Sequence, residues 1–262
     1  MTVQLFSRVA GPDVDYPWLT PSFGVVATGI AIALTGYATF LQPVLGWRRY
    51  RRLRRDRATD PDALLRFFRR AATVQAIGVL LVLLALVTSA GLDRYDIGLR
   101  WPTGEHVHTG VAWTAFALFV VAVSGIVLRR RALSGRPVPG QKAVIALIPR
   151  TAVERRMGAV VAVGAGVAEE FVFRGLFVAA GVDLLGLSAV AALTISSVIF
   201  ALAHVYQGVA PLPLLLLIGF SFGWLYLVTQ SLLLPVLIHA AMDVRGLVLV
   251  PAEHAEARER AH

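Results

Sequence analysis

The chain has 262 residues, 57% of them hydrophobic and only 16% charged, with a mean hydropathy of +0.70. A soluble domain carries about a quarter of its residues as charged side chains, so the composition excludes an ordinary soluble enzyme and indicates a polytopic membrane protein. The absence of cysteine excludes disulfides, thiolate metal sites and a cysteine nucleophile, and the net charge of +9 comes almost wholly from arginine.

Met1 to Thr20, with Asp13, Asp15 and two prolines, lacks the basic-then-apolar order of a cleavable signal. A membrane span needs about 20 apolar residues, and the first is expected over 21–46. An arginine cluster follows, from Arg48 to Arg57, and continues with Arg66, Arg69 and Arg70. Spans over 71–91 and 110–128 come next, separated by a mixed-charge loop and closed by Arg129, Arg130 and Arg131. These arginines flank apolar runs, where topology and anionic lipid headgroups explain them better than nucleic acid does. The positive-inside rule then places both basic loops in the cytoplasm.

Residues 132–150 read as a basic loop with a short interfacial piece from Lys142 to Leu147. Thr151 and Glu154 have capping-box spacing, so a long helix is expected from Ala152 to about 180. A turn over 181–187 leads to a fifth helix, capped by Ser188 and reaching Tyr206. Spans over 213–228 and 232–250 precede a polar tail at 252–262. Gly219, Ser221 and Gly223 read as small residues for close helix packing, and Trp18, Trp47 and Trp101 as interfacial aromatics. The reading is an all-α, polytopic transmembrane bundle of about seven spans in the cell membrane. It divides into an N-terminal region (1–150), a core of four spans (151–251) and the tail.

The chemistry sits in the last four helices. Glu169 and Glu170 interrupt an apolar run, and carboxylates at bilayer depth are rare unless they face a bundle interior or a wet cavity. Glu170 and Arg174 are spaced i,i+4 and can pair, while Glu169, rotated about 100° around an α-helix, is left to project elsewhere. Phe200 precedes His204 by one turn, and His239 precedes Asp243 by one turn, where the carboxylate can orient the ring or share a ligand. At 1.5 Å per residue, Glu169 lies roughly 18 Å from the cytoplasmic face and His239 and Asp243 roughly 11 to 17 Å from the other, so their depths overlap. His204 falls nearer the cytoplasm and fits less closely. A carboxylate and an imidazole converging on such a cavity can deprotonate a water that attacks a peptide carbonyl, and a second imidazole can stabilise the oxyanion.

Glu-Glu-x-x-x-Arg, Phe-x-x-x-His and His-x-x-x-Asp, in this order on successive apolar helices, resemble the CAAX-protease and bacteriocin-processing (CPBP, or Abi) intramembrane proteases. The resemblance covers about 149–246 and includes Pro149 through Glu154 and Phe173-Arg174-Gly175. It implies that Glu169 is the general base acting with His204, that His239 and Asp243 line the oxyanion site, and that Glu170, Arg174 and Phe200 support them. The prenyl-protein-processing members carry asparagine where this chain has Asp243. Aspartate donates a hydrogen bond only when protonated, so orienting His239 or binding a metal are the other roles open to it.

No His-Glu-x-x-His is present. A metal-free mechanism is therefore expected, with zinc on Glu169, His204, His239 and Asp243 as the alternative. The expected substrate is a membrane-associated peptide or protein, and the partners are membrane lipids, not nucleic acid. A non-proteolytic scaffold or immunity protein and a proton-coupled transporter are the competing readings.

Overall fold

The structure, a computed structural model, describes residues 16–249. The polar tail and the first 15 residues, including Asp13 and Asp15, lie outside the described residues. Among the described residues all long elements are helices, and extended pairing is confined to an isolated antiparallel bridge between Ser22 and Gly91.

Helix α1 is a continuous rod, Val25–Asp56, with a π-helical stretch at Tyr37–Leu41. Helices α2 and α3 are Ala63–Val87 and Val107–Leu133. A helical turn at Gln141–Val144 and a 3-10 turn at Ile145–Leu147 form the expected interfacial piece. Helix α4 joins Ala152–Glu169, a π-helical stretch Glu170–Leu176, and Phe177–Leu185. Helices α5, α6 and α7 are Ala189–Ala203, Leu212–Thr229 and Leu233–Val248.

Of these seven helices, α1, α2, α3 and α6 are long and apolar enough to cross a membrane. Their outward faces carry Phe40, Leu80, Val87, Trp113 and Phe119, all exposed. So much exposed apolar surface is unusual in a water-soluble monomer and suits a lipid environment. Trp47 and Trp101 are exposed as expected of interfacial aromatics, whereas Trp18 packs edge-on against Tyr226 at 5.5 Å.

Three local boundaries differ from the sequence reading. Helix α1 runs ten residues past Gly46 through the arginine cluster, because arginine is a good helix former whose head reaches water without breaking the backbone. Helix α4 runs on to Leu185 instead of turning at 181, and Gly186 then takes the left-handed conformation (φ 62°) that ends a helix. Helix α5 ends at Ala203, and Tyr206 belongs to a 3-10 turn, Val205–Gln207. Both expected caps form. Thr151 and Glu154 make the reciprocal capping box, and Ser188 accepts from the Ala191 amide.

The start of α4 is fixed by a buried ion pair. Arg57, just beyond α1, donates to Glu154 Oε1 at 2.6 Å and Oε2 at 3.0 Å, and its guanidinium also reaches the Ile148 carbonyl. Opposite it, the 88–106 loop seals the other ends of α6 and α7. The Leu232 amide donates to the Gly98 carbonyl, Thr103 to the Thr229 carbonyl, and the Tyr226 hydroxyl to the Asp96 carbonyl. Burial in this seal pushes the Asp96 carboxyl above the usual carboxylate range.

Helices α4 and α7 make the most extensive contact in the bundle. Gly166 permits it, since a Cβ there would lie 2.8 Å from the Ala240 nitrogen and 3.0 Å from its Cα. Gly166→Val is therefore expected to wedge these helices apart at the residue next to His239, destabilising by roughly 1–3 kcal/mol. Thermal unfolding in detergent checks this, and an unchanged midpoint would show that the contact is dispensable.

Candidate active site

Four helices bring the sequence-picked residues together. Glu169 and Glu170 lie where α4 passes from α-helix to π-helix, His204 caps the end of α5, and His239 and Asp243 share one face of α7. The π-helical stretch was not expected, yet the i,i+4 pairing survives it. Arg174 Nη1 donates to Glu170 Oε1 at 3.0 Å. A π-helical turn leaves carbonyls without their α-helical partners, and Ser196 on α5 donates its hydroxyl to the Phe173 carbonyl.

Arg174 and Glu170 are 1% and 0% exposed, so each charge depends on its partners. Arg174 has two more: its Nη2 donates to the Gly219 carbonyl at 3.1 Å, and its guanidinium lies 4.4 Å from the Phe200 ring centre. Gly219 thus does more than allow close packing, because it supplies an acceptor for a buried cation. Glu170 Oε1 also accepts from His239 Nδ1 at 2.7 Å. It is Glu170 that orients this ring, because Asp243 Oδ2 lies 3.8 Å from the other nitrogen, beyond hydrogen-bond reach.

The two imidazoles are held alike. His204 Nδ1 lies 2.8 Å from the Phe200 carbonyl, which can only accept, so Nδ1 carries the proton. His239 Nδ1 likewise faces an acceptor. In the neutral rings both Nε2 atoms therefore present lone pairs, and both point at Glu169 Oε2, from 3.7 Å and 3.8 Å. Those spacings exceed a direct hydrogen bond and match groups that share a water molecule. Glu169 Oε2 is itself buried and has no hydrogen-bond partner, while the Glu169 side chain as a whole is 25% exposed. The loose depth estimate for His204 is closed by α5, whose last turn delivers the ring to the middle of α4.

Glu169, His204, His239 and Asp243 line one cavity of about 1020 Å³, together with Tyr206, Phe200 and Phe222. Tyr206 escaped the sequence reading. Its ring packs against His204 (5.9 Å between centres) and Tyr50, a contact set by the 3-10 turn rather than by any helical spacing. Among the described residues, no group of three or more His, Asp or Glu side chains converges closely enough to hold a metal ion.

Apolar membrane helices that hold a carboxylate between two imidazoles at a cavity wall define a membrane-embedded site of hydrolytic type. Residues 153–245, from the first turn of α4 to the end of α7, match the family described as type II CAAX prenyl endopeptidase Rce1-like, and this segment places the chain in the CAAX-protease (CPBP) family. Every residue of the constellation lies inside the match, and α1 to α3 lie outside it. Comparison with curated proteins and with solved structures gives no match.

Proposed function

We propose that the protein is an intramembrane endopeptidase that cleaves a membrane-associated peptide or protein by a metal-free, glutamate-activated water. The observation that carries this reading is the unpartnered Glu169 Oε2 facing two imidazole Nε2 atoms on a cavity wall. Glu169 takes a proton from water held between it and His204, and the hydroxide attacks the peptide carbonyl. The tetrahedral oxyanion is met by His239, which donates from Nε2 as an imidazolium because the Glu170 carboxylate faces its Nδ1. Collapse breaks the C–N bond, and the proton held by Glu169 passes to the departing amine. Asp243 lines the oxyanion side, where its proton state governs whether it donates.

The family description names prenyl substrates. The substrate proposed for this chain is a membrane-proximal polypeptide, with or without a prenyl group. The test is hydrolysis of fluorogenic membrane-proximal peptides, prenylated and unmodified, by purified protein in detergent, with wild type compared to His204→Gln and each assayed with and without chelator. Cleavage that His204→Gln abolishes and chelator spares supports the mechanism. Loss of cleavage on chelation, restored by zinc, would replace the glutamate-only route with a metal-assisted one. Absence of cleavage of every peptide would favour the scaffold reading.

A further inference from the structure

The cavity continues from the Glu169 wall along α1 and α2 to the arginine-rich end of the bundle. There Arg48, Arg49, Arg52, Arg66 and Arg70 line it, and Arg245 joins them from α7, two residues past Asp243. Asp56 is the only acidic side chain lining that end, and it is engaged by Arg52 at 3.3 Å. Arg66 pairs with Asp60. Among the described residues, Arg48, Arg49 and Arg70 have no ion-pair or hydrogen-bond partner. Arg245 is half-buried and gives Nη1 to the Ser124 hydroxyl at 2.9 Å, while its Nε is buried without a partner. The fold thus satisfies its buried arginines elsewhere, as with Arg57 and Arg174, but leaves several cavity-lining guanidiniums uncompensated.

We propose that this arginine belt is the substrate-selecting part of the cavity and takes an acidic stretch of polypeptide, several Asp or Glu side chains beside the scissile bond. This rests on the endopeptidase reading above and adds the substrate class to it. Guanidinium forks suit carboxylates geometrically. A belt contributed by α1, α2 and α7 is broader than one terminal carboxylate needs, which favours acidic side chains over a chain end. The cavity volume, about 1020 Å³, is at the upper end of the roughly 300–1,000 Å³ found for small-ligand pockets, as a peptide requires. Because the belt is continuous with the catalytic wall, a bound acidic segment is delivered to Glu169 without dissociating.

Binding, not turnover, tests this, so its failure is distinct from failure of the protease reading. Full-length Glu169→Gln protein in neutral detergent is titrated into three fluorescein-labelled decapeptides. The first has four glutamates and an amidated end, the second has glutamines in their place, and the third is the glutamine peptide with a free carboxyl terminus. The glutamate peptide is expected to bind at least tenfold more tightly than the amidated glutamine peptide, with the advantage shrinking as salt rises. Adding Arg49→Gln, Arg70→Gln and Arg245→Gln together is expected to erase the advantage, and Arg129→Gln with Arg130→Gln, outside the cavity, to leave it intact. Equal binding of the first two peptides, or a preference that survives the triple replacement, overturns the proposal. So does tight binding confined to the free-carboxyl peptide, or displacement of the glutamate peptide by micromolar short-chain phosphatidylglycerol, which would assign the belt to a chain end or to lipid headgroups.

Discussion

Glu169→Gln is expected to lower the hydrolysis rate by roughly 10²- to 10⁴-fold, the range for losing a positioned general base, while leaving the thermal midpoint in detergent nearly unchanged. The two halves of this expectation come from the same geometry. Glu169 Oε2 has no hydrogen-bond partner to lose, and the side chain borders a cavity, so an isosteric amide disturbs little packing. The amide cannot accept a proton from water at working pH, so the chemical step loses its base. Initial rates and melting curves on the same preparation check both halves. A variant that keeps a tenth or more of wild-type rate would remove Glu169 from the proton-transfer role and leave His204 as the candidate base.

Glu170→Ala should behave in the opposite way and unfold the protein at markedly lower temperature. It strips the carboxylate from Arg174, which is 1% exposed, and from His239 Nδ1. Breaking a buried pair by removing one partner costs roughly 3–5 kcal/mol, because a buried charge is left uncompensated. Replacing both partners with apolar residues of similar volume is often close to neutral, so Glu170→Leu combined with Arg174→Met should recover much of the melting temperature. Activity should stay lost in the double variant, since nothing then orients His239. Melting and rate measured across the four-member cycle separate the two contributions. Recovery of activity together with stability would show that the pair is a structural clasp with no part in the site.

Most of the site is legible in the sequence because helical spacing converts directly into faces. Glu170 with Arg174 and Phe200 with His204 are one-turn relations, and each appears as a bond or a ring contact. The helix starts at Ala152 and Ala189 are legible because Thr151 and Ser188 act through strictly local hydrogen bonds. What the spacing could not show is which end of the His239 ring faces which carboxylate. That depends on the rotation of α7 against α4, fixed by the contact of Gly166 with Ala240. The Arg57–Glu154 pair joins residues 97 apart in the chain, and the Gly219 carbonyl is a backbone acceptor. Neither carries a periodic signal. The span count is another case: α5 and α7 are only 15 and 16 residues long, so apolar length alone does not mark them as it marks α2 or α3.

The π-helical stretch Glu170–Leu176 sets the rotational phase of the whole second half of α4. Deleting Val172 would let that half wind as ordinary α-helix. Everything downstream would then turn by about 100° and draw in by about 1.5 Å relative to the carboxylates. Arg174 would leave the face it shares with Glu170, and Phe177, Val178 and Ala179, now in the bundle core, would be turned off their partners. Removing one apolar residue that does no chemistry would therefore inactivate the protein as surely as removing a carboxylate, so at this point in the chain the count of residues is as constrained as their identity.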